Sequence, residues 1–329
     1  MEMETAAPAI EIGLNAVIVA VTHPTPMVLA IDGAQAGEPE SLPFGPFDPL
    51  HHRTLEIGLR DWVKQQTALR LGYVEQLYTY GDRGRHAQPG DTGPHVVSVG
   101  YLALSRQSPE AEEVLARARA RWRPWYDYFP WEDWRDGRPA MLDEAILPAL
   151  EHWAEAPAKD GNTALGAARL ERLHLAFGGE GSPWDEERAL ERYELCYEAG
   201  LTAEAERDGR PMADGYTERP YLGRSMQFDH RRILATAISR LRGKLKYRPV
   251  IFELMPNAFT LTELQRTVEA ISGRHLHKQN FRRFVETTEL VEPTGATTAR
   301  TGGRPAALFR FRRQVLRERP APGLRVGAR

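Results

Sequence analysis

Residues 259–285 read FTLTELQRTVEAISGRHLHKQNFRRFV, and two helices joined by a short turn can be read from them. Thr260 is placed to cap a helix with its hydroxyl, and Glu263 three residues on completes a capping box. Leu264, Val268 and Ile271 make an inward stripe, and Gly273 stops the helix. A second helix is expected from about Lys278. Phe281, Phe284 and Val285 take its apolar side, which leaves Lys278, Gln279, Asn280, Arg282 and Arg283 outside. Then follows TGATTARTGGRPAALFRFR, a Gly- and Thr-rich turn between β-prone residues.

Helix, turn, basic helix and hairpin, in that order, are the plan of a winged helix-turn-helix. The second helix suits a DNA major groove, where Asn and Gln side chains can read adenine and Arg can read guanine. The hairpin would be the wing, with Arg300, Thr301 and Arg304 near its tip running along phosphates or dipping into the minor groove. Thr260, Lys278, Gln279, Asn280, Arg282, Arg283 and these three wing residues are the candidate DNA-contacting set. The competing reading, a winged helix that docks protein, does not require so many outward cations.

Charge points the same way. The formal net charge is −2, yet residues 226–329 hold 21 Lys and Arg against 8 Asp and Glu, and residues 1–225 hold 22 against 37. A C-terminal third near +13 on a body near −15 suggests an anion-binding module on an acidic body. The plainer reading is a solvated basic face on a structural domain.

At 329 residues the chain has room for two domains, and 42% hydrophobic with 27% charged residues is a globular composition. The apolar run from Ala16 to Val21 is too short to cross a bilayer, no signal-peptide pattern is present, and a cytoplasmic location is the expectation. The single cysteine, Cys196, allows neither an intramolecular disulfide nor a thiolate metal cluster.

Upstream, residues 12–31 give two apolar β-rich runs around THPTP, and residues 53–69 show helical spacing at Leu55, Leu59, Trp62, Val63 and Leu69. Strands are expected at Tyr73–Tyr80 and His95–Leu104, separated by the loop GDRGRHAQPGDTGP. Helices are expected at 109–121, 141–156, 163–177 and 184–206. Between the first two, Trp122, Trp125, Tyr126, Tyr128, Phe129, Trp131 and Trp134 crowd a Pro-interrupted segment. They form either an extra core layer or, in part, the wall of a pocket in which a planar ring stacks. A polar linker at 207–220 precedes the helix DHRRILATAISRLRGKLKY, read as an amphipathic connector with an exposed basic side.

Residues 229–311, through RLRGKLKY, LMPNAFTLTELQ, KQNFRRF and GRPAALFRF, resemble the C-terminal domain of the Nudix-related transcriptional regulators of NAD metabolism, the NrtR type. Residues 12–104, notably LGYVEQLYTYGDRGR and VVSVGYLAL, resemble the Nudix-like N-terminal domain of that family. The aromatic segment and the helices to residue 225 resemble an expanded, alphaproteobacterial NadQ-type subgroup. The resemblance implies an α+β chain: a Nudix-like α/β/α sandwich core at 1–105, its helical extension at 106–225, a winged helix at 226–315 and a basic, disordered tail at 316–329.

A hydrolytic Nudix box has the form G-x5-E-x7-R-E-U-x-E-E-x-G-U. Its alignment on this chain sets Gln65 and Gln66 on the two metal-binding glutamates, Trp62 on the preceding glutamate, Asp61 on the arginine and Arg53 on the upstream glutamate. Ala68 falls on the last glycine. Glutamine carbonyls are poor ligands for a small hard cation, so no metal, no catalytic residue and no required cofactor are expected. The resemblance instead implies a sensor for ADP-ribose, NAD or another adenine nucleotide. Arg53, Arg60, Arg83 and Arg85 would take phosphates, and Gln65, Gln66 and Trp125 complete the candidate ligand set. The implied protein is a homodimeric repressor of NAD biosynthesis or salvage genes on a pseudo-palindromic DNA operator, without membrane contact. A Nudix-type pyrophosphohydrolase fused to a DNA-binding domain, and a protein-docking adaptor, are the rivals.

Overall fold

The computed structural model describes residues 10–22, 24–82, 95–106, 109–156, 163–212, 218–299 and 305–318. Its centre is a strand too apolar to have a wet side. In β1 (Ile10–Thr22) every residue from Leu14 to Ala20 is buried. Alternate side chains serve two different cores, as period-two geometry requires. Leu14, Ala16 and Ile18 face one way, and Val17 and Val19 the other.

Around β1 runs a mixed sheet. β5 (His95–Leu104) pairs parallel to it. β2 (Thr25–Ile31) and β3 (Phe44–Pro46) pair antiparallel to it, β4 (Tyr73–Tyr80) lies outside β5, and the order is β4-β5-β1-β2-β6. The hairpin and both later strands match the sequence pattern. The edge strand β6 (Ala120–Pro124) does not, because ARWRP carries no apolar alternation. The preceding helix α2 (Pro109–Arg117) stops short of residue 121, and Arg119 turns the chain with φ +55° where no glycine signals it.

On the first face lies α1 (Leu55–Thr67), with Leu59 and Val63 against Leu14 and Ile18. On the second lie the aromatic segment, a π turn at Leu142–Ile146 continued by α3 (Leu147–Glu155), then α4 (Thr163–Phe177) and α5 (Ala189–Glu198). The helix expected over 184–206 is broken. Gly200 takes φ +74° against the backbone of Pro211, and Thr202 caps a separate short α6 (Ala203–Arg207). Trp125, Tyr128, Phe129 and Trp131 are all 0% exposed, so the segment is a core layer.

The helix α7 (His230–Tyr247) is not the exposed connector that its charges suggest. Ile233, Leu234, Ile238 and Leu241 are buried, Tyr80 donates its hydroxyl hydrogen to Thr236 Oγ1 at 2.6 Å, and Leu42 N–H donates to His230 Nδ1 at 3.0 Å. All six of its cations pair with carboxylates from upstream. Arg231 meets Glu204, Arg232 meets Glu194, Arg240 and Lys244 share Glu75, Arg242 meets Glu132 and Lys246 meets Glu187, at 2.5–3.1 Å. Much of the charge asymmetry of the sequence is therefore an internal seam, with the acidic body neutralising the basic helix that packs on it.

Beyond α7 come α8 (Leu261–Ser272), α9 (Lys278–Thr288), β7 (Val291–Thr298), β8 (Ala306–Phe311) and a last turn α10 (Val315–Glu318). The reading of 316–329 as a disordered tail overlaps this turn, and 319–329 lie outside the described residues. Among the described residues no helix is long and apolar enough to cross a membrane.

Candidate nucleic-acid interface and nucleotide-sensing face

The capping box on α8 is complete. Glu263 N–H donates to Thr260 Oγ1 at 3.1 Å, and Thr260 N–H donates to the Glu263 carboxylate at 2.6 Å. Thr260 is buried and its hydroxyl is occupied by the cap, so it positions the helix rather than facing outward. Gly273 ends α8 at φ +74°. The turn to α9 is then fixed from within α8, since Glu269 accepts Leu276 N–H at 2.8 Å and Gln265 Nε2 donates to Leu276 O at 2.9 Å.

Three buried or half-buried side chains, Phe281, Phe284 and Val285, hold α9 down. Lys278, Gln279, Asn280, Arg282 and Arg283 are all exposed on the opposite side. Among the described residues no carboxylate pairs with Lys278, Arg282 or Arg283, in contrast to the fully paired α7. β7 and β8 form the expected wing. Phe259 exchanges two backbone hydrogen bonds with Phe309 at 2.8 and 3.0 Å, which ties the wing to the start of α8. Arg300, Thr301 and Arg304 lie outside the described residues.

On the other domain, α1 is capped by Thr54, whose Oγ1 accepts Ile57 N–H at 3.2 Å, and it ends at Ala68 with φ +55°. That left-handed residue stands where the aligned box has glycine, which supports the register of the alignment. Gln66 is not free to meet a ligand. Its Oε1 accepts Phe44 N–H at 3.2 Å and its Nε2 donates to Phe44 O at 2.7 Å. Trp62 Nε1 donates to Pro46 O at 2.7 Å, and a Cβ on Gly45 would overlap its ring. Two positions aligned with box glutamates thus grip β3. Replacing Gln66 by Glu removes the donor to Phe44 O and sets a carboxylate against it. The expected cost is about 1–3 kcal/mol, read as a lower thermal midpoint, with no gain of Mg2+-dependent turnover.

The remaining ligand candidates do not converge. Gln65 and Arg53 are exposed, and Arg60 is spent on Glu56 Oε1 at 2.9 Å and on the backbone carbonyls of Leu71 and Gly72. Trp125 is enclosed in the core, and Arg83 and Arg85 lie outside the described residues. Cys196 is buried as well, and burial pushes its thiol up to about 12. Among the described residues no cluster of three or more His, Cys, Asp or Glu could hold a metal.

A cleft of about 730 Å³ that the sequence did not reveal opens between the 32–40 loop and residues 221–225. Arg123 and Arg224 meet on Glu40 Oε1, and Tyr128 donates to Glu40 Oε2 at 2.6 Å. Burial raises the Glu40 carboxyl, and these partners outweigh it and hold it below its ordinary value. The residues missed by sequence reasoning are of this kind: Glu40 joins Arg123 and Tyr128, Tyr126 joins Ala270, and Glu132 joins Arg242, each across 80 to 150 positions with no local signal.

A Nudix-like sandwich bearing a basic winged helix is the class that these features define. Residues 251–311 match the family model described as the NrtR DNA-binding winged helix domain. That stretch, the winged helix, is the part of the chain that is similar to this family in sequence. Over 86 residues, 26% of its length, it is 43% identical to the ADPR responsive transcriptional repressor NtrR of Acinetobacter baylyi, and the match spans 34% of that relative. In fold it is similar to Shewanella oneidensis NrtR in a crystal structure complexed with a 27mer DNA, at TM-score 0.53 and 20% identity over 92% of this chain and 94% of that one. A MutT/nudix family protein from Enterococcus faecalis is similar at TM-score 0.50 and 15% identity, over 94% and 89%.

Proposed function

We propose that the protein is a DNA-binding transcriptional repressor of NAD biosynthesis or salvage genes, which releases its operator when the Nudix-like domain takes up ADP-ribose or a related adenine nucleotide. The observation that carries the reading is the outer face of α9, where Lys278, Arg282 and Arg283 stand exposed and unpaired among the described residues beside Gln279 and Asn280. Exposed cations on a helix that is held by a short turn and flanked by a wing are what phosphate and major-groove contacts require. The Acinetobacter relative, described as an ADPR responsive repressor, supports the effector class. In this reading the protein acts as a homodimer, each copy placing one α9 in a half-site, and the nucleotide favours a geometry that no longer fits both. Gln66 and Trp62, occupied on β3, support a sensor that does not hydrolyse its signal.

A mobility shift with the DNA upstream of the protein's own coding sequence, titrated with ADP-ribose, NAD, nicotinamide mononucleotide and ATP, tests this. Retention that ADP-ribose or NAD reverses is the expected result. Retention no stronger than on unrelated DNA at the same salt would remove the reading. Incubation with ADP-ribose and Mg2+ should show no steady turnover, and turnover would restore the hydrolase rival.

A further inference from the structure

The last turn of a helix leaves carbonyls without partners in the helix, and solvent commonly satisfies them. At the end of α8 the body does so instead. Ala270 O accepts the Tyr126 hydroxyl at 2.8 Å, Ile271 O accepts Arg242 Nε at 2.9 Å, and Gly273 O accepts Trp134 N–H at 2.8 Å. Two of these donors belong to the aromatic segment and the third to α7. The fit is close enough that a Cβ on Gly273 would overlap Glu132 O.

The same donors are locked to one another. Arg242 donates to Glu132 Oε2 at 2.5 Å and to Glu186 O at 2.9 Å, and Glu132 also receives Arg192 at 2.6 Å, with all three side chains buried. Three residues before Trp131, Tyr128 holds Glu40 at the cleft, and its carbonyl accepts Arg231 of α7 at 2.6 Å. One short segment therefore ends on the cleft carboxylate at one side and on the α8 carbonyls at the other. Buried polar groups of this kind are costly unless all are satisfied, so loosening one of these contacts penalises the others.

We infer that Tyr126, Trp134 and Arg242 are positioning residues for DNA binding. They clamp the end of α8, and with it α9 and the wing, in one orientation on the Nudix-like body, and the segment 123–134 is the link through which the state of that body reaches the winged helix. The regulatory half of this inference rests on the proposed nucleotide response.

Tyr126→Phe removes one hydroxyl and little else, and Arg242→Lys keeps the charge while losing the planar Nε–H. Three measurements are made on the full chain: ADP-ribose affinity, DNA affinity with and without ADP-ribose, and amide exchange at Trp134 and residues 270–274. The expected result for Tyr126→Phe is unchanged ADP-ribose binding, exchange about fivefold to tenfold faster at those amides alone, and a ligand-induced change in DNA affinity reduced by about fivefold or more. Arg242→Lys should do the same more strongly. A variant that exchanges and responds like the parent overturns the clamp. If the parent itself ignores ADP-ribose, the proposed function fails separately. Exchange then decides the clamp alone: local acceleration in Tyr126→Phe upholds it, and unchanged exchange removes it.

Discussion

Glu132→Ala should lower stability by about 3–5 kcal/mol, a fall in the thermal midpoint on the order of 10 °C, because it strands two buried guanidiniums without their shared carboxylate. Arg192 and Arg242 reach Glu132 at 2.5–2.9 Å, and neither they nor it touches solvent appreciably. Burial alone would push the Glu132 carboxyl up, but the two guanidiniums outweigh burial and hold it below the ordinary carboxylate value. Because the folded value is depressed, its stabilisation is fully present above the unfolded value of about 4.3 and is lost as pH falls through the lower folded one. Glu132→Gln should show most of the loss with little change in shape. Replacing Glu132, Arg192 and Arg242 together by apolar residues of similar volume should recover only part of the loss: the desolvation penalty leaves with the charges, but the carbonyls of Ala176, Asp185, Glu186 and Ile271 lose their donors. A Glu132→Gln protein within 1 kcal/mol of the parent would show that packing, not the ion pairs, holds the segment.

Lys278→Ala, Arg282→Ala and Arg283→Ala combined should weaken operator binding by roughly 100-fold or more at fixed salt and flatten the slope of log K against log[salt] by about 2–3, at near 0.9 per phosphate contact. All three side chains are exposed, so the fold should survive and circular dichroism should be unchanged. The informative control is Arg240→Ala. Arg240 belongs to the same basic third of the sequence, but it pairs with Glu75 at 3.0 Å on the body, so its removal should leave DNA affinity within twofold. Equal losses from the two sets would mean that overall charge, not the α9 face, binds DNA, and would take the helix assignment with it.

The winged helix was legible because each signal is local. A capping box, a left-handed Gly273, a stripe at helical spacing and a Gly-rich hairpin are each written in a short run of neighbouring residues. The same holds for β1, β4, β5 and α1, whose type and approximate place follow from apolar period, while the Thr54 cap and the left-handed Ala68 set the ends of α1 inside the expected 53–69. Edge strand β6 and the break before α6 were lost for the converse reason. An arginine-rich edge needs no alternation when its pairing comes from β2, and a helix interrupted at Gly200 keeps helical spacing on both sides.

What the residues alone determined is therefore the type of each module and the direction of the outward α9 face. Which cations are available was decided only in three dimensions. The charges of α7 and of α9 look alike in a list, but the first set is neutralised by Glu75, Glu132, Glu187, Glu194 and Glu204, brought from 27 to 169 positions away, while no described carboxylate reaches the second. The fate of the box helix was decided in the same way. The alignment reads Gln66 as a glutamine where a box would have an acid, and only the packing of β3 against α1 shows that its side chain holds the Phe44 backbone. Coulombic and hydrogen-bond partners are set by distance through space, and separation along the chain carries no record of it.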